Sequence, residues 1–417
     1  MKLHRPLVNG VVSAIRQTCL SGRQVFGKGK YADKVVPKLL QANKKWGSRD
    51  RSFVAENVYE MVRWWRLLSA LSRQSAVGSP TVDSSLKDEE IIEMLGVNLI
   101  LKGFELPEWE EFAGLDAATV LEKKKELESN RKVIQSIPDW LDEMGAAELG
   151  DRWDEEIAAL NKPAPLALRV NTLRTSKKWL VEKLAEKNNW RATGSSLSRT
   201  ALVLQKRRNV TSSYFYKKGH FEVQDVGSQC IAPFLQVKPG MAVIDACAGA
   251  GGKSLHLAVL MKNTGQILAL DTEPHKLVEL QKRIVRNRTK IIQTQLVAPN
   301  RHMNMFTNSA DRLLLDVPCS GLGRLRRSPD TKWKLTPAFI EKVKIKQAEI
   351  FQEYSGMLKA GGKLVYATCS ILPSENEKQV ERFLANNKNF KLEDERFISP
   401  AKDGFDGYYM ARIGRFK

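Results

Sequence analysis

From Val237 onward, short apolar runs alternate with longer amphipathic segments, and this alternation restricts the possible folds more than any other feature of the chain. The runs AVIDA, QILALD, RLLLDV and KLVYATC have the length and composition of buried parallel strands. The segments between them, such as PHKLVELQKRIVRNR, space their apolar residues as a helix does. The pattern predicts an α/β fold with a Rossmann-like, doubly wound sheet over residues 236–417.

Two further regions are predicted to precede this sheet. Residues 1–150 are expected to form an all-α domain, since Val8, Val11, Val12 and Ile15 recur at helical spacing. Residues 151–235 change in character, because LALRVNT, TALVLQ and HFEVQD are strand-like runs and SKKWLVEKLAEKN is a helical one. This second region is predicted to be a small α+β domain.

The basic charge of the chain is unevenly distributed. Lysine and arginine number 67 against 47 aspartates and glutamates, a formal net charge of +20. Residues 163–220 carry 13 basic and 2 acidic side chains, whereas residues 81–160 carry 8 and 21. A local excess of this kind, which includes Arg207 and Arg208, favours a phosphate-binding surface, with general solubility as the alternative. RNA is therefore a candidate partner, and the small α+β region 151–235 is predicted to be an RNA-binding domain.

Several classes of site are not indicated. The five cysteines are an odd, widely spaced set without a CxxC pair, so neither a disulfide framework nor a metal site is expected. No window approaches eighteen apolar residues, so no membrane span is predicted. The apolar run near the N-terminus is interrupted by Arg16, which is atypical of a signal peptide. A cytoplasmic protein is expected.

Two cysteines follow buried strands directly: Cys319 in LLLDVPCSGLGR and Cys369 in KLVYATCSILPSEN. Open α/β sheets carry their chemistry at the carboxyl ends of strands, so both thiols are candidate catalytic groups. Spacing alone does not say which one would be a nucleophile. The alternative for either is a small buried apolar residue, a common role of free cysteine.

A glycine-rich turn in ACAGAGGKS follows the strand that ends at Asp245, as nucleotide-type cofactor sites require. An NTPase phosphate loop would need glycine where Cys247 stands, and a dinucleotide fingerprint would need glycine at Ser254. The next strand ends at Asp271, from which a carboxylate can accept both ribose hydroxyls of a nucleoside, although it could instead cap the following helix. The combination favours an adenosine-containing cofactor.

Four ordered motifs resemble the Sun/Fmu (RsmB-type) family of S-adenosylmethionine-dependent RNA cytosine-5 methyltransferases. They are DACAGAGGKS, ALDTEPHKL, LLLDVPCSGLGRLRRSPDTKW and LVYATCSILPSENEKQV, and similarity extends to ALRVNTLRTS and VQDVGSQCIAPFL. The resemblance implies that Cys369 is the nucleophile, that Cys319 assists product release, and that Asp316 contacts the base or the cofactor. It also implies a set of S-adenosylmethionine-binding residues: Cys247, Ala248, Gly249, Ala250, Gly251, Gly252, Lys253, Asp271 and Asp316.

The chain departs from the family pattern at two points. Ala250 stands where CAAPGGK has proline, which leaves the close-approach glycines in place. The family's aspartate after the third strand is absent from TQLVAPNRHMNMF, and Asn300 is the candidate substitute for its adenine contact.

The resemblance also bears on substrate and partners. The N-terminal helices resemble a NusB-like RNA-binding domain, with a helical cap that only packs on the enzyme as the alternative. The resemblance implies small-subunit ribosomal RNA as substrate, with transfer RNA as the closest alternative. A non-catalytic ribosome-assembly factor is the rival of another class, and a monomer is expected. RLRRSPDTKW places cations, among them Arg326 and Lys332, beside Trp333, a combination that suits splayed single-stranded RNA, with a solvated loop as the alternative.

Overall fold

The computed structural model of the protein describes residues 3–19, 30–72, 87–298 and 303–416. Its helices are α1 (Arg5–Cys19), α2 (Ala32–Ala42), α3 (Ser48–Arg63), α4 (Trp65–Leu71), α5 (Asp88–Leu101), α6 (Ala117–Glu126), α7 (Arg131–Ile134), α8 (Asp139–Leu149), α9 (Arg152–Leu160), α10 (Lys177–Asn188), α11 (Tyr214–Lys217), α12 (Val226–Phe234), α13 (Gly252–Leu260), α14 (Pro274–Asn287), α15 (Thr331–Lys334), α16 (Pro337–Tyr354), α17 (Glu377–Asn386) and α18 (Pro400–Asp403). Its strands are β1 (Leu166–Val170), β2 (Ala192–Gly194), β3 (Ala201–Leu204), β4 (Phe221–Val223), β5 (Ala242–Asp245), β6 (Gln266–Asp271), β7 (Ile292–Leu296), β8 (Ala310–Asp316), β9 (Leu358–Thr368), β10 (Phe390–Ile398) and β11 (Tyr408–Arg415). Asn300 lies outside the described residues.

The chain divides into two compact units. The first comprises residues 1–162 and 325–337, and the second comprises residues 163–324 and 338–417. Helix α9 and the segment 325–337 therefore group with the N-terminal helices, although the sequence assigned them to the α+β region and to the sheet domain. The limits 1–150, 151–235 and 236–417 stay predictions for the functional domains.

The first unit is helical, and its core begins with α1. Val8, Val11, Val12 and Ile15 are all buried there, as their helical spacing predicted. Helices α3 and α5 pack on α1 and close a single apolar core. Each of these helices thus contributes its apolar face to one interior.

The segment that follows Arg324 belongs to this helical unit, which corrects the prediction of an RNA surface for Arg326, Lys332 and Trp333. Lys332 is fully buried and donates hydrogen bonds from Nζ to the Arg63 carbonyl at 2.8 Å and to Asn161 Oδ1 at 3.1 Å. The Trp333 indole donates to the Val62 carbonyl at 2.7 Å and packs on the apolar core. Arg326 is buried as well. A buried ammonium or guanidinium group needs hydrogen-bond acceptors. Lys332 and Trp333 find theirs inside the helical unit, so they do not form an RNA surface.

A four-stranded antiparallel sheet opens the second unit, in the order β2-β3-β1-β4. Strands β1, β3 and β4 and helix α10 occur where the sequence predicted them, and β2 is an additional short edge strand. Leu180 and Leu184 of α10 pack against Leu168 and Leu202 of the sheet. This confirms a small α+β fold in front of the larger sheet.

A seven-stranded sheet forms the remainder of the second unit, in the order β10-β11-β9-β8-β5-β6-β7. Strands β5 to β9 pair in parallel, and β10 and β11 add an antiparallel edge. The predicted Rossmann-like, doubly wound sheet is therefore confirmed. Because β5, β6, β8 and β9 run in the same direction, the turns after them meet at one edge, where such folds bind ligands.

Within the described ranges, no helix is long and apolar enough to cross a membrane. Among the same residues, no group of three or more His, Cys, Asp or Glu side chains is arranged to hold a metal ion.

Candidate active site

The two candidate thiols lie together at the carboxyl edge of the large sheet. Asp316, the last residue of β8, pairs with Ala367 of β9, so the turns that follow these two strands are neighbours. Cys319 Sγ is 3.2 Å from Cys369 Sγ and accepts a hydrogen bond from the Cys369 backbone N–H at 3.3 Å. Both residues are partly buried at this edge.

The two sulfurs differ in their protonation. The pKa of Cys369 is lowered chiefly by its hydrogen bond with the Cys319 side chain. The positive charges of Arg324 and Lys253 add to this effect, and burial opposes it. The same hydrogen bond raises the pKa of Cys319 well above its usual value. These directions favour Cys369 over Cys319 as the candidate nucleophile.

The remaining cysteines are poor candidates for a nucleophile. Burial raises the pKa of Cys230 to about 11, and it raises the pKa values of Cys19 and Cys247 well above their ordinary range. A protonated thiol is a weak nucleophile. Cys247 instead lines a cavity beside the glycine-rich turn.

Glu375, which sequence reasoning missed, connects the two cysteine turns. Its carboxylate is fully buried and accepts hydrogen bonds from the Ser320 backbone N–H at 2.8 Å, from the Ser320 hydroxyl at 2.5 Å and from the Ser370 hydroxyl at 2.5 Å. Gln347 donates a further bond from Nε2 at 2.9 Å. Since Ser320 and Ser370 each follow a cysteine directly, this carboxylate holds both thiols in position. The only signal in the sequence was an acidic residue six positions after Cys369.

Close backbone packing supports the same pair of turns. The Gly323 N–H donates to the Cys369 carbonyl at 2.9 Å, and the Gly323 carbonyl accepts from the Gly407 N–H at 2.8 Å. A Cβ atom on Gly323 would lie 2.2 Å from the Gly407 carbonyl oxygen. Glycine is required there because the three backbone segments meet without room for a side chain.

Asp316 and Lys253 join the thiol site to the glycine-rich turn. Lys253 Nζ lies 2.5 Å from Asp316 Oδ2, and both side chains are partly buried. The lysine is the second residue of α13, whereas the aspartate ends β8 three residues before Cys319. The pair therefore orients a carboxylate at the sheet edge that carries the sulfurs.

The glycine-rich turn has the conformation that its sequence implied. Gly249 and Gly251 have positive φ angles of 55° and 76°. A Cβ atom on Gly251 would lie 2.0 Å from a methyl group of Leu280 on α14. The turn can therefore approach α14 only with glycine at that position.

Two arginines, also missed from the sequence, hold the turn through its carbonyl groups. Arg283 donates from Nη1 to the Ala250 carbonyl at 2.6 Å, and the buried Arg169 donates to the Gly252 carbonyl at 2.6 Å. Arg283 also pairs with the buried Glu222 at 2.9 Å. Arg169 and Glu222 belong to the small sheet, so this sheet contributes directly to the shape of the turn. Ala250 is thus fixed by a hydrogen bond where the family pattern has a proline.

Asp271 lies between the turn and a cavity of about 470 Å³. Its carboxylate accepts from the Gly249 N–H at 2.8 Å and from the Glu273 N–H at 2.8 Å, so it also serves the start of α14. The cavity is lined by this carboxylate, by polar groups and by apolar and aromatic side chains that include Cys247, Val297, Ile350 and Tyr354. A carboxylate beside apolar walls fits the ribose and the base of a nucleoside.

Comparison with known protein families supports one assignment. A family model described as 16S rRNA methyltransferase RsmB/F matches residues 232–413. A second model, described as the RsmF/B-like ferredoxin-like domain, matches residues 137–211. The large and small sheets thus each match a domain of the same proteins.

Curated relatives agree with these matches. A probable ribosomal RNA small subunit methyltransferase B of Synechocystis is 31% identical over 94% of this chain and 93% of the relative. Ribosomal RNA small subunit methyltransferase B of Pasteurella multocida is 33% identical over 66% of this chain and 64% of its own length.

Solved structures share the fold. The crystal structure of PH0851 superposes with a TM-score of 0.81 at 22% identity and covers 100% of both chains. A methyltransferase homologue from Pyrococcus horikoshii superposes with a TM-score of 0.61 at 25% identity and covers 69% of this chain and 98% of its own.

Proposed function

Since the chain belongs to the RsmB/F family of rRNA small subunit methyltransferases, we propose that it methylates carbon 5 of a cytosine in small-subunit ribosomal RNA and uses S-adenosylmethionine as methyl donor. One observation carries this proposal: two sulfur atoms lie 3.2 Å apart at the sheet edge that also holds the glycine-rich turn. The relatives are named for the methylation of small-subunit rRNA, and the thiol pair supports carbon 5 of cytosine as the position.

Carbon 5 of cytosine is a weak nucleophile and requires activation. A thiolate that adds to carbon 6 places electron density on carbon 5. Cys369 has the lowered pKa that this addition needs, chiefly through its hydrogen bond with Cys319. We therefore assign the covalent bond to carbon 6 to Cys369.

Asp316 and Cys319 have supporting roles in this proposal. The Asp316 carboxylate, paired with Lys253, stabilises the adduct through the ring nitrogen next to the amino group. Once carbon 5 carries the methyl group and has lost its proton, the bond between carbon 6 and sulfur breaks. Cys319, in contact with the sulfur of Cys369, assists that release.

The cavity beside Asp271 fits S-adenosylmethionine. The Asp271 carboxylate suits the ribose hydroxyls, and the side chains of Val297, Ile350 and Tyr354 suit the adenine ring. The glycine-rich turn from Cys247 to Lys253 brings backbone groups to the same edge. When bound there, the cofactor supplies an electrophilic methyl group. The residues of this chain position it and hold the cytosine.

The direct test is transfer of tritium from methyl-labelled S-adenosylmethionine to RNA. We expect label in 16S rRNA, recovered as 5-methylcytosine after digestion, and none in a transfer RNA pool. Label in transfer RNA alone would change the substrate. Tight RNA binding without any transfer would contradict the enzyme assignment and leave a binding-only assembly factor.

The Asp271→Ala variant tests the cofactor site. It should weaken S-adenosylmethionine binding by about 1 to 3 kcal/mol, because charge-assisted hydrogen bonds to the ribose are lost. Isothermal calorimetry measures the change, with ATP as the control ligand, which should not bind because Cys247 stands where a phosphate loop requires glycine. Unchanged affinity in the variant would remove Asp271 from the cofactor site.

A further inference from the structure

A second cavity, of about 260 Å³, opens at one end of the small four-stranded sheet. We call it the β2–β3 groove. It is lined by the residues that lead from α10 into β2 and by those that leave β3: Asn189, Trp190, Arg191, Leu204, Gln205, Lys206 and Arg208. None of these residues belongs to the thiol site or to the cofactor cavity.

The walls of the β2–β3 groove are held by backbone hydrogen bonds. The Gln205 N–H donates to the Arg191 carbonyl at 3.0 Å, next to the paired residues Ala192 and Leu204. The Trp190 N–H donates to the Leu184 carbonyl at 3.0 Å, and the indole packs partly on the apolar core of the small sheet. The groove is thus preformed, with an aromatic ring that is anchored on one side and lines the cavity on the other.

The charge of the groove is positive and uncompensated. Arg191, Lys206 and Arg208 are exposed, and no lining residue is acidic. Within the described ranges, the side chains of these three residues make no hydrogen bond or ion pair. By contrast, Lys183 and Lys187 on the neighbouring helix α10 are both paired with Glu186. The groove cations are therefore available for an anionic ligand.

The volume and the lining residues of the β2–β3 groove indicate which ligand it fits. The volume lies below the roughly 300 Å³ at which drug-sized ligand pockets begin, so it suits a fragment of about one nucleotide. An indole flanked by cations matches the way in which single-stranded nucleic acid is bound, with bases stacked on aromatic rings and phosphates on basic side chains.

We propose that the β2–β3 groove binds one nucleotide of single-stranded RNA, with its base against Trp190 and its phosphates at Arg191, Lys206 and Arg208. This nucleotide is distinct from the cytosine that enters the thiol site. The inference rests on the proposed function, because that function supplies the RNA. The groove then acts as a second anchor, which fixes where along the substrate the target base lies.

The salt dependence of binding tests the phosphate contacts. A fluorescein-labelled single-stranded RNA is titrated with the protein by anisotropy over a series of KCl concentrations. The double variant Arg191→Ala/Arg208→Ala should reduce the slope of log K against log[KCl] by about 1.4, since each phosphate contact on single strands contributes about 0.7. A matched control, Lys388→Ala/Lys391→Ala, removes the same charge from exposed positions on the second unit and should keep the wild-type slope. An unchanged slope in the groove variant, or an equal reduction in both, would overturn the proposal.

Photocrosslinking tests the stacked base. RNA that contains 5-bromouridine should crosslink to Trp190 on irradiation, and peptide mass spectrometry identifies the site. Trp190→Phe keeps an aromatic ring and should retain RNA affinity within about threefold, whereas Trp190→Ala should lose at least about fivefold, since one stacked base contributes about 1 to 3 kcal/mol. Circular dichroism confirms that both variants are folded. Equal affinity of the two variants, with crosslinks outside the groove, would overturn the base contact.

The tritium assay separates this inference from the proposed function. If a groove variant transfers methyl groups normally and keeps the wild-type salt dependence, the groove does not bind RNA. The methyltransferase assignment then stays intact. Groove-dependent RNA binding without any transfer by the wild-type protein would refute the assignment and leave the groove.

Discussion

The Cys369→Ala variant should lose methyl transfer by more than about 10³-fold and should form no covalent adduct with RNA. Removal of an attacking group eliminates the step on which all later ones depend, and such losses typically reach many orders of magnitude. RNA binding should persist, because the phosphate contacts are made by other residues. Tritium transfer measures the rate, and a denaturing gel detects any protein–RNA adduct.

The Cys319→Ala variant should behave differently. Cys369 can still attack carbon 6, but release is hindered, so a band of protein crosslinked to RNA should accumulate on the denaturing gel. The pH dependence should also move. The hydrogen bond with Cys319 lowers the pKa of Cys369, so the loss of this bond should raise that pKa. Adduct formation should then level off at a higher pH than in the wild type.

Cys230→Ala is the matched control for these two variants. It removes a buried thiol whose sulfur contacts only the Leu197 and Val226 carbonyls among the hydrogen bonds of the described residues. It should transfer methyl groups as the wild type does and should trap no RNA. If Cys369→Ala traps RNA and Cys319→Ala does not, the roles of nucleophile and assistant are reversed.

The Glu375→Ala variant should lower the free energy of unfolding of the second unit by about 3 to 5 kcal/mol. The substitution leaves donors on Ser320, Ser370 and Gln347 without an acceptor in a fully buried site, and it also opens a cavity. Urea denaturation, followed by tryptophan fluorescence, measures the loss. Glu381→Ala changes an exposed glutamate on helix α17 and should leave the unfolding midpoint unchanged.

Glu375→Gln separates stability from positioning. The amide keeps the shape of the side chain and one acceptor oxygen, but its NH2 group replaces an oxygen that accepts two hydrogen bonds. The common anchor of the turns after Cys319 and Cys369 should therefore weaken. We expect a folded protein that binds S-adenosylmethionine normally and transfers methyl groups at least about tenfold more slowly. Wild-type turnover in this variant would show that Glu375 has no role in holding the thiols.

Much of the fold was readable from the sequence because its signals are local. Apolar runs ending at Asp245, Asp271 and Asp316 became β5, β6 and β8, and the glycine-rich turn follows β5 as predicted. The same local logic failed for Lys332 and Trp333. Their cationic and aromatic character suggested an RNA surface, but they are used inside the helical unit. Composition does not reveal which acceptors a chain brings to a buried cation.

The sequence by itself determined which strands carry the candidate site residues: the glycine-rich turn follows one parallel strand, and a cysteine follows each of two others. Only the tertiary structure decided that the sulfurs of Cys319 and Cys369 share a hydrogen bond, that Glu375 joins their turns, and that Arg169 and Arg283 hold the cofactor turn. The physical reason is range. Periodicity and turn chemistry act over a few residues, whereas these hydrogen bonds join atoms that are far apart in the chain and meet only when the sheets and helices have packed.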